Sequence, residues 1–254
     1  MTPAFQARGW SLVEADWRVC DPARFDLLLI RATWDYIDHE AEFLAFLDRA
    51  SRLAPVANAP AVVRWNLSKR YLMELSADGL PVIPSLFVDL PTPARTAFEQ
   101  FGVDEIILKP VVGGGGFGQS RLTRAEADSV VIQPGQFAQP LVPEIMTRGE
   151  VSFIFVDGDF SHAVRKLPGG GDYRIHIIHG GAEQPYAPTP AEIEAAQAFV
   201  AALPAPALAC RVDVIPTADG LLLMELEAIE PHLFPTYGPG LGERMAQACA
   251  RLMG

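Results

Sequence analysis

A chain of 254 residues, half of them apolar, with a formal net charge of −11, is long enough to bury one large core or two smaller ones. The acidic balance argues against nucleic-acid or anionic-membrane surfaces, which are bound through clustered Lys and Arg, so any polyanion must be held by a local group of cations. Cys20, Cys210 and Cys249 form no Cys-x-x-Cys pair, the N-terminus lacks a signal-peptide layout, and no apolar run approaches the roughly 18 residues of a membrane span. The expectation is a soluble, reduced, cytoplasmic protein.

"MTPAFQARGWSLVEADW" reads as a helix and a second strand with no strand before them, so the usual first strand of an open α/β sheet is expected to be missing or to lie upstream. "FDLLLIRAT" is a continuous apolar run of strand length, as in a strand buried on both faces of a parallel sheet. "DHEAEFLAFLDRASRL" sets Phe43, Leu44 and Leu47 at helical spacing, and "PVANAP" reads as the next strand. Such alternation predicts a ligand crevice at the carboxyl ends of the strands. Arg31, Thr33 and Asp35 sit at that end and are candidates for meeting a small molecule; alternatively Thr33 and Asp35 only cap the following helix.

Asn66 reads as the N-cap of a helix through "LSKRYLMELSA" that stops at Gly79, followed by the strand "PVIPSLFVD". "DEIILKP" is another strand, "TRAEADS" reads as a helix and "FAQPLVPEIM" as a strand leading to a connector. "EVSFIFVDGDFSHAVRKL" is a hairpin turning at Asp157-Gly158, and "TPAEIEAAQAFVAAL" is an amphipathic helix. A last hairpin, "CRVDVIPTADGLLLMELEAIEP", precedes the C-terminal helix "GLGERMAQACARLMG".

Two constellations carry chemistry. In "IILKPVVGGGGFGQS" a lysine at a strand end, Lys109, stands beside Gly113, Gly114, Gly115 and Gly116. Gly113 to Gly118 satisfies G-x-G-x-x-G, but Lys109 and Pro110 intervene and no strong helix follows, which excludes the dinucleotide setting; no Gly-Lys-Ser/Thr follows for a Walker loop. What remains is a flexible loop, or a backbone that approaches phosphate oxygens closely with several N–H groups. In the last hairpin, a three-residue loop Ala218-Asp219-Gly220, with Gly220 in a bulge, would pair Asp213 with Glu225 and Arg211 with Glu227 on one face. Three carboxylates beside one arginine suit Mg²⁺, with a solvated charged edge as the alternative. His176 and His179 in "IHIIHGG" fall on opposite faces of a strand and do not suggest zinc; His232 lies near the proposed metal strand.

A polyphosphate cradle with magnesium carboxylates describes an ATP site. "IILKPVVGGGG", "QPLVPEIMTRGEVS", "RKLPGGGDYR" and "RVDVIPTADGLLLMELE" resemble, in order, the blocks of ATP-grasp enzymes, most closely the bacterial glutathione synthetase branch, from about Phe25 to the C-terminus. "RATWDY", "WNLSKRYL" and "ELEAIEPHLF" are similar, more narrowly, to the stand-alone ATP-grasp proteins that include the cyclo-ligase of cycloserine biosynthesis. The resemblance implies α/β and α+β architecture: an N-terminal open α/β domain over 1–64, an ATP-grasp subdomain with the lysines and glycine-rich lid over 65–137, and a C-terminal subdomain over 138–254.

It also implies an ATP- and Mg²⁺-dependent ligase, with one or two ions, that joins a small carboxylate to an amine through an acyl phosphate, within one molecule or between two. Lys69 and Lys109 would hold the phosphates under the Gly113 to Gly118 lid. Gln139, Leu141 and Val142 would meet adenine, and Glu150 the ribose. Asp213, Glu225 and Glu227 match the metal ligands, Arg174 and Arg211 positions that steady the acyl phosphate, and Lys166 and Arg31 the carboxylate substrate. Glu227 departs from the asparagine of glutathione and D-alanine ligases. Many relatives are dimers or tetramers, so a homo-oligomer is compatible with the chain. The alternative is a degenerate nucleotide-binding module serving as a sensor or partner subunit, with a dehydrogenase a distant third.

Overall fold

The computed structural model describes residues 2–253 except 171, 172, 174 and 176–179. At the N-terminus, helix α1 (Thr2–Gln6) is followed by exposed irregular chain through Asp16 where a strand is expected, because the short β1 (Leu28–Leu29) pairs only with β2 (Val56–Ala57), in parallel. Helix α2 (Glu40–Ala50) connects them. Glu40 and Glu42 favour its positive N-terminal end, and Phe43, Phe46, Leu47 and Ala50 bury one stripe.

Two helices, α3 (Pro60–Leu67) and α4 (Tyr71–Ala77), replace the single helix expected from Asn66. Pro60 starts α3, and the left-handed Gly79 follows the end of α4 as expected. Asn66 lies inside α3 and caps nothing there. Its side chain donates to Leu226 O (2.6 Å) and accepts from Ala228 N (2.7 Å), and Tyr71 Oη exchanges two bonds of 2.9 Å with the backbone of Leu226. Asn carries a donor and an acceptor on one amide, so it can mimic a neighbouring strand.

A four-stranded sheet then forms in the order β3-β8-β5-β6, from β3 (Leu86–Phe87), β5 (Glu105–Pro110), β6 (Ser120–Thr123) and β8 (Gln136–Pro140). β4 (Thr92–Pro93) and β7 (Val131–Ile132) make a separate pair, and α5 (Arg95–Phe101) ends at the left-handed Gly102. The stretch read as "TRAEADS" helix is one short 3-10 turn, Arg124–Glu126, held by a Thr123–Glu126 capping box.

The main sheet has the order β11-β10-β9-β12-β13, with β9 (Glu150–Val156), β10 (Asp159–Leu167), β11 (Ala182–Tyr186), β12 (Ala209–Pro216) and β13 (Leu221–Glu227). The short α6 (Ile145–Arg148) leads into it. Every residue of β9 is buried, which explains its unbroken apolar run. Phe153 and Phe155 pack with Phe199 of α7 (Pro190–Ala201), while Ile154 and Val156 pack with Met245 and Cys249 of α8 (Leu241–Met253). Truncating Phe153 to Ala would cost about 3–5 kcal/mol.

The β12–β13 register pairs Asp213 with Glu225 and Arg211 with Glu227, as the expected face requires, but by a different device. Pairing closes at Pro216–Leu221 around four loop residues, which alone would set Asp213 opposite Met224. A bulge between Leu223 and Glu225 absorbs Met224, so Val214 faces Leu223 while Asp213 faces Glu225.

Candidate active site

Two connected cavities lie between the sheets. The first, about 830 Å³ with its open mouth, runs from an apolar end at Ile83, Leu141, Val142, Ile145 and Met224 to the lysines and carboxylates. The second, about 1590 Å³ with its open mouth, continues from that charged end to Trp34, Tyr36, Ile229, Glu230, His232 and Phe234. Lys69, Lys166, Arg211, Glu225 and Glu227 line both and mark the junction.

At the junction the hairpin supplies the acids. Ligand oxygens of Asp213, Glu225 and Glu227 lie within 4.8 Å of one another. Arg211 is the compensating cation: its Nε donates to both Asp213 oxygens at 3.0 Å, and its guanidinium also pairs with Glu227. Ser152 donates to Asp213 from the neighbouring β9, and Lys166 Nζ stands 3.6 Å away. Although Asp213 is only 2% exposed, Arg211 and Lys166 hold its carboxyl well below the usual range. Burial pushes Glu227 up to about 7 against the pull of Arg211. Such a set of hard oxygen donors fits Mg²⁺.

Lys69 sits in the link between α3 and α4, where its backbone N–H donates to Val111 O (2.9 Å) and its Nζ pairs with Glu225 (2.8 Å) and bonds Gly113 O. The Asn66 and Tyr71 bonds on either side tie that link to the carboxylate strand. Burial lowers Lys109 to about 8 despite nearby Glu225. Gly113, Gly114, Gly115 and Gly116 line the cleft beside the lysines, and Gly115, Gly116 and Gly118 have left-handed φ of 64°, 73° and 70°, a shape only glycine takes cheaply.

Glu150 is 1% exposed, pairs with Lys166 through Oε1, and is pushed up to about 8 by burial against that lysine's pull. Burial opposes charge on Lys166, yet Asp213 and Glu150 keep its ammonium raised. Gly149 is what lets this pair form: a Cβ there would stand 2.2 Å from Lys166 O. Gln139, also 1% exposed, donates to Ser85 Oγ (2.9 Å), while its Oε1 and the Glu150 Oε2 have no hydrogen-bond partner among the described residues.

The substrate-side expectations divide. Arg31 is half-buried, in the field of Glu230, Arg211 and Glu227, but is not among the residues lining the cavity. Asp35 is turned away, bound to Trp17 Nε1 (2.9 Å) and Arg18 (2.5 Å), where it braces the N-terminal segment. Thr33 precedes a 3-10 turn, Trp34–Asp38, without a side-chain cap bond. Ala32, at φ 53°, reverses the chain there, so period-2 alternation fails and Trp34 and Tyr36 reach the cavity instead. Phe234 is a further residue beyond the sequence reading: it stacks under both Lys166 and Arg211, each 5.7 Å from its ring centre. The motif "ELEAIEPHLF" contains it, but nothing in the apolar pattern separates it from core. Arg174, His176 and His179 lie outside the described residues.

Comparison with known proteins places this geometry. Residues 1–58 match the family described as D-cycloserine synthetase DcsG, N-terminal domain. The chain is 31% identical to the cycloserine biosynthesis protein DcsG of Streptomyces lavendulae over 92% of its own length and 86% of that protein's. It is 27% identical to the glutathione synthetase of Bradyrhizobium diazoefficiens, over 82% of this chain and 63% of that one, so the narrower resemblance is the stronger. The crystal structure of D-cycloserine synthetase DcsG superposes with a TM-score of 0.85 at 29% identity, covering 99% of this chain and 93% of that one. No helix among the described residues is long and apolar enough to cross a membrane. The chain belongs to the ATP-grasp family, among its ATP-dependent carbon–nitrogen ligases.

Proposed function

We propose that this ligase activates a small carboxylate at the junction of the two cavities and transfers the acyl group to an amine. The observation that carries the reading is the meeting of Lys69, Lys166 and Arg211 with Asp213, Glu225 and Glu227 where an apolar slot opens into a second chamber. A substrate carboxylate oxygen attacks the γ-phosphorus of ATP and ADP leaves; the amine then attacks the acyl carbon, phosphate leaves, and the amine loses a proton.

Each residue has a place in that sequence. Adenine enters between Ile83, Leu141, Val142 and Met224, with Gln139 Oε1 free to accept from its amino group and Glu150 Oε2 free to accept from the ribose hydroxyls. Lys69, Lys109 and the glycine backbone take the phosphates. Asp213, Glu225 and Glu227 would hold magnesium, which when bound neutralises charge on the transferred phosphoryl group. Arg211 and Lys166, with Arg31 behind, draw in the substrate carboxylate, and Arg211 steadies the developing oxyanion. Similarity to a D-cycloserine synthetase supports the intramolecular form, in which acid and amine belong to one molecule.

The degenerate-module reading, which rests on the shortened N-terminus and on Glu227, is not favoured, since lysines, arginine and carboxylates all converge. The test is thermal unfolding with ADP or a non-hydrolysable ATP analogue, with and without Mg²⁺, against NADH. Ligand at about 100 times its Kd adds about 2.7 kcal/mol. A magnesium-dependent rise with adenine nucleotide, lost in Glu225→Ala, is expected, followed by ADP release with the correct acid. A rise with NADH alone, or none with nucleotide, would overturn the reading.

A further inference from the structure

Gln139 stands inside the four-stranded sheet, paired with Ile107 of β5 on one side and, one step beyond the Leu86–Ala138 pair, set beside Ser85 on the other. Its side chain lines the first cavity and is 1% exposed. The amide is anchored at one end only: Nε2 donates to Ser85 Oγ (2.9 Å), while Oε1 has no partner among the described residues. The two ends of an amide are nearly alike in shape, and one turned over would offer the cleft a donor in place of an acceptor. What opposes that turn is Ser85. Its hydroxyl has a single proton, and that proton goes to Ile83 O at 3.0 Å. Toward Gln139 the same oxygen can therefore only accept.

The carbonyl that takes the proton is itself held. Ile83 N donates to Leu223 O (2.9 Å) and Leu223 N donates to Pro81 O (2.8 Å), which pins the segment before β3 to β13 of the main sheet. Ser85 is half-buried and lines neither cavity. A chain of hydrogen bonds thus runs from β13, through Ile83 and Ser85, to one amide in the wall of the nucleotide end.

We infer that Ser85 is a positioning residue that sets which purine this end of the cleft takes: by holding the Gln139 amide with its oxygen inward, it favours a 6-aminopurine and refuses a 6-oxopurine. The 6-amino group of adenine donates to that oxygen. The 6-oxo group of hypoxanthine or guanine would set two acceptors against each other, and each buried acceptor left without a donor is costly. Gln139 could relieve the clash only by turning over, and the Ser85 proton it would then need is the one that Ile83 O holds. The selection is made by a hydroxyl that stands outside the ligand's reach.

This inference rests on the adenine placement proposed above, and the experiment keeps the two apart. ADP and IDP differ only in the amino or oxo group at position 6 of the purine, with the N1 proton that accompanies the oxo form. Their dissociation constants with Mg²⁺ are measured by titration calorimetry on the wild type, Ser85→Ala and Ser85→Thr. The wild type should bind ADP about tenfold or more tightly than IDP, a difference of about 1.4 kcal/mol. In Ser85→Ala a water beside the amide can donate or accept, Gln139 turns freely, and the ratio should narrow by about threefold or more through a gain by IDP. Ser85→Thr keeps the hydroxyl and should keep the ratio. A merely structural role for Ser85 would weaken both nucleotides alike, so an unchanged ratio in Ser85→Ala overturns the lock and leaves the ligase reading standing. Equal binding of ADP and IDP by the wild type would do the same, whereas a wild type that bound neither would bring down both. If Ser85→Ala does not fold, Ser85→Val and Ser85→Thr, alike in shape, decide: equal ratios in the two would sink the lock.

Discussion

Across the cleft, the β12–β13 hairpin and the glycine-rich segment after β5 hold their shapes by opposite means. The hairpin is packed on both sides and its outer edge is clamped: Asn66 and Tyr71 bond Leu226 and Ala228, and Asn58 donates to Ala209 O and Ala228 O at 2.6 and 2.7 Å. The segment from Gly113 to Gly118 has left-handed backbone at several positions, and its Phe117 is 67% exposed. Charges that must stay within a few ångströms of one another need a frame that does not yield, whereas a cover that admits and releases nucleotide needs few contacts.

The largest test of this contrast is Asp213→Ala. It strands the buried guanidinium of Arg211 and should remove about 3–5 kcal/mol of stability, read by urea unfolding, as well as ADP formation. Asn66→Ala comes next, leaving the Ala228 N–H without its side-chain partner and the Leu226 carbonyl with the Tyr71 hydroxyl alone, at a cost of about 1–3 kcal/mol, again by urea. Because Asn66 does not line the nucleotide end of the cleft, a full-strength nucleotide shift in this variant would mean that the clamp does not position Lys69.

Lys109, on the rigid side below the glycines, sharpens the contrast through pH. Its folded value of about 8 lies below the ordinary 10.5, so the folded protein releases this proton first as pH rises. Metal-free ADP affinity should fall above pH 8, by up to about tenfold per unit, and Lys109→Met should flatten the profile. Without ligand the same group makes the fold gain stability between pH 8 and 10.5, where the unfolded chain retains the proton. Bound phosphate holds the ammonium charged and moves both effects upward.

The smallest effect belongs to the loop. Gly115→Ala imposes a left-handed φ of 64° on a side chain and should cost only about 1–2 kcal/mol while slowing turnover. A loss of stability matching that of Asp213→Ala would show the segment to be part of the frame, and the contrast would fail.

The carboxylate face was legible in the sequence because side chains alternate on strands, so Arg211, Asp213, Glu225 and Glu227 had to share a side once their pairing was right. The glycines and Lys109 were legible through the unusual composition of one short stretch. Asn66 was misread because an asparagine that bridges to a strand edge and one that caps a helix carry the same two groups; only the distant partner, 160 positions along, separates them. Trp34 and Tyr36 displaced Thr33 and Asp35 because one left-handed residue, Ala32, breaks the strand period. The second cavity is assembled from segments far apart in the chain, and no local spacing marks it.

The bulge at Met224 has a consequence for change over generations. The turn between β12 and β13 and the acids on β13 are counted from different origins, with one surplus residue between them. Lengthening or shortening the turn leaves the acids where they are, so that end of the hairpin is free to drift. Losing Met224 would only make the ladder regular, with Val214 still opposite Leu223 and Asp213 still opposite Glu225, whereas losing Leu226 would set Glu225 and Glu227 next to one another in the chain and so on opposite faces of the sheet. Two lineages can therefore differ by several residues at the tip, and by the bulge itself, and share one chemistry, while a one-residue deletion between the two acids would end that chemistry at a stroke.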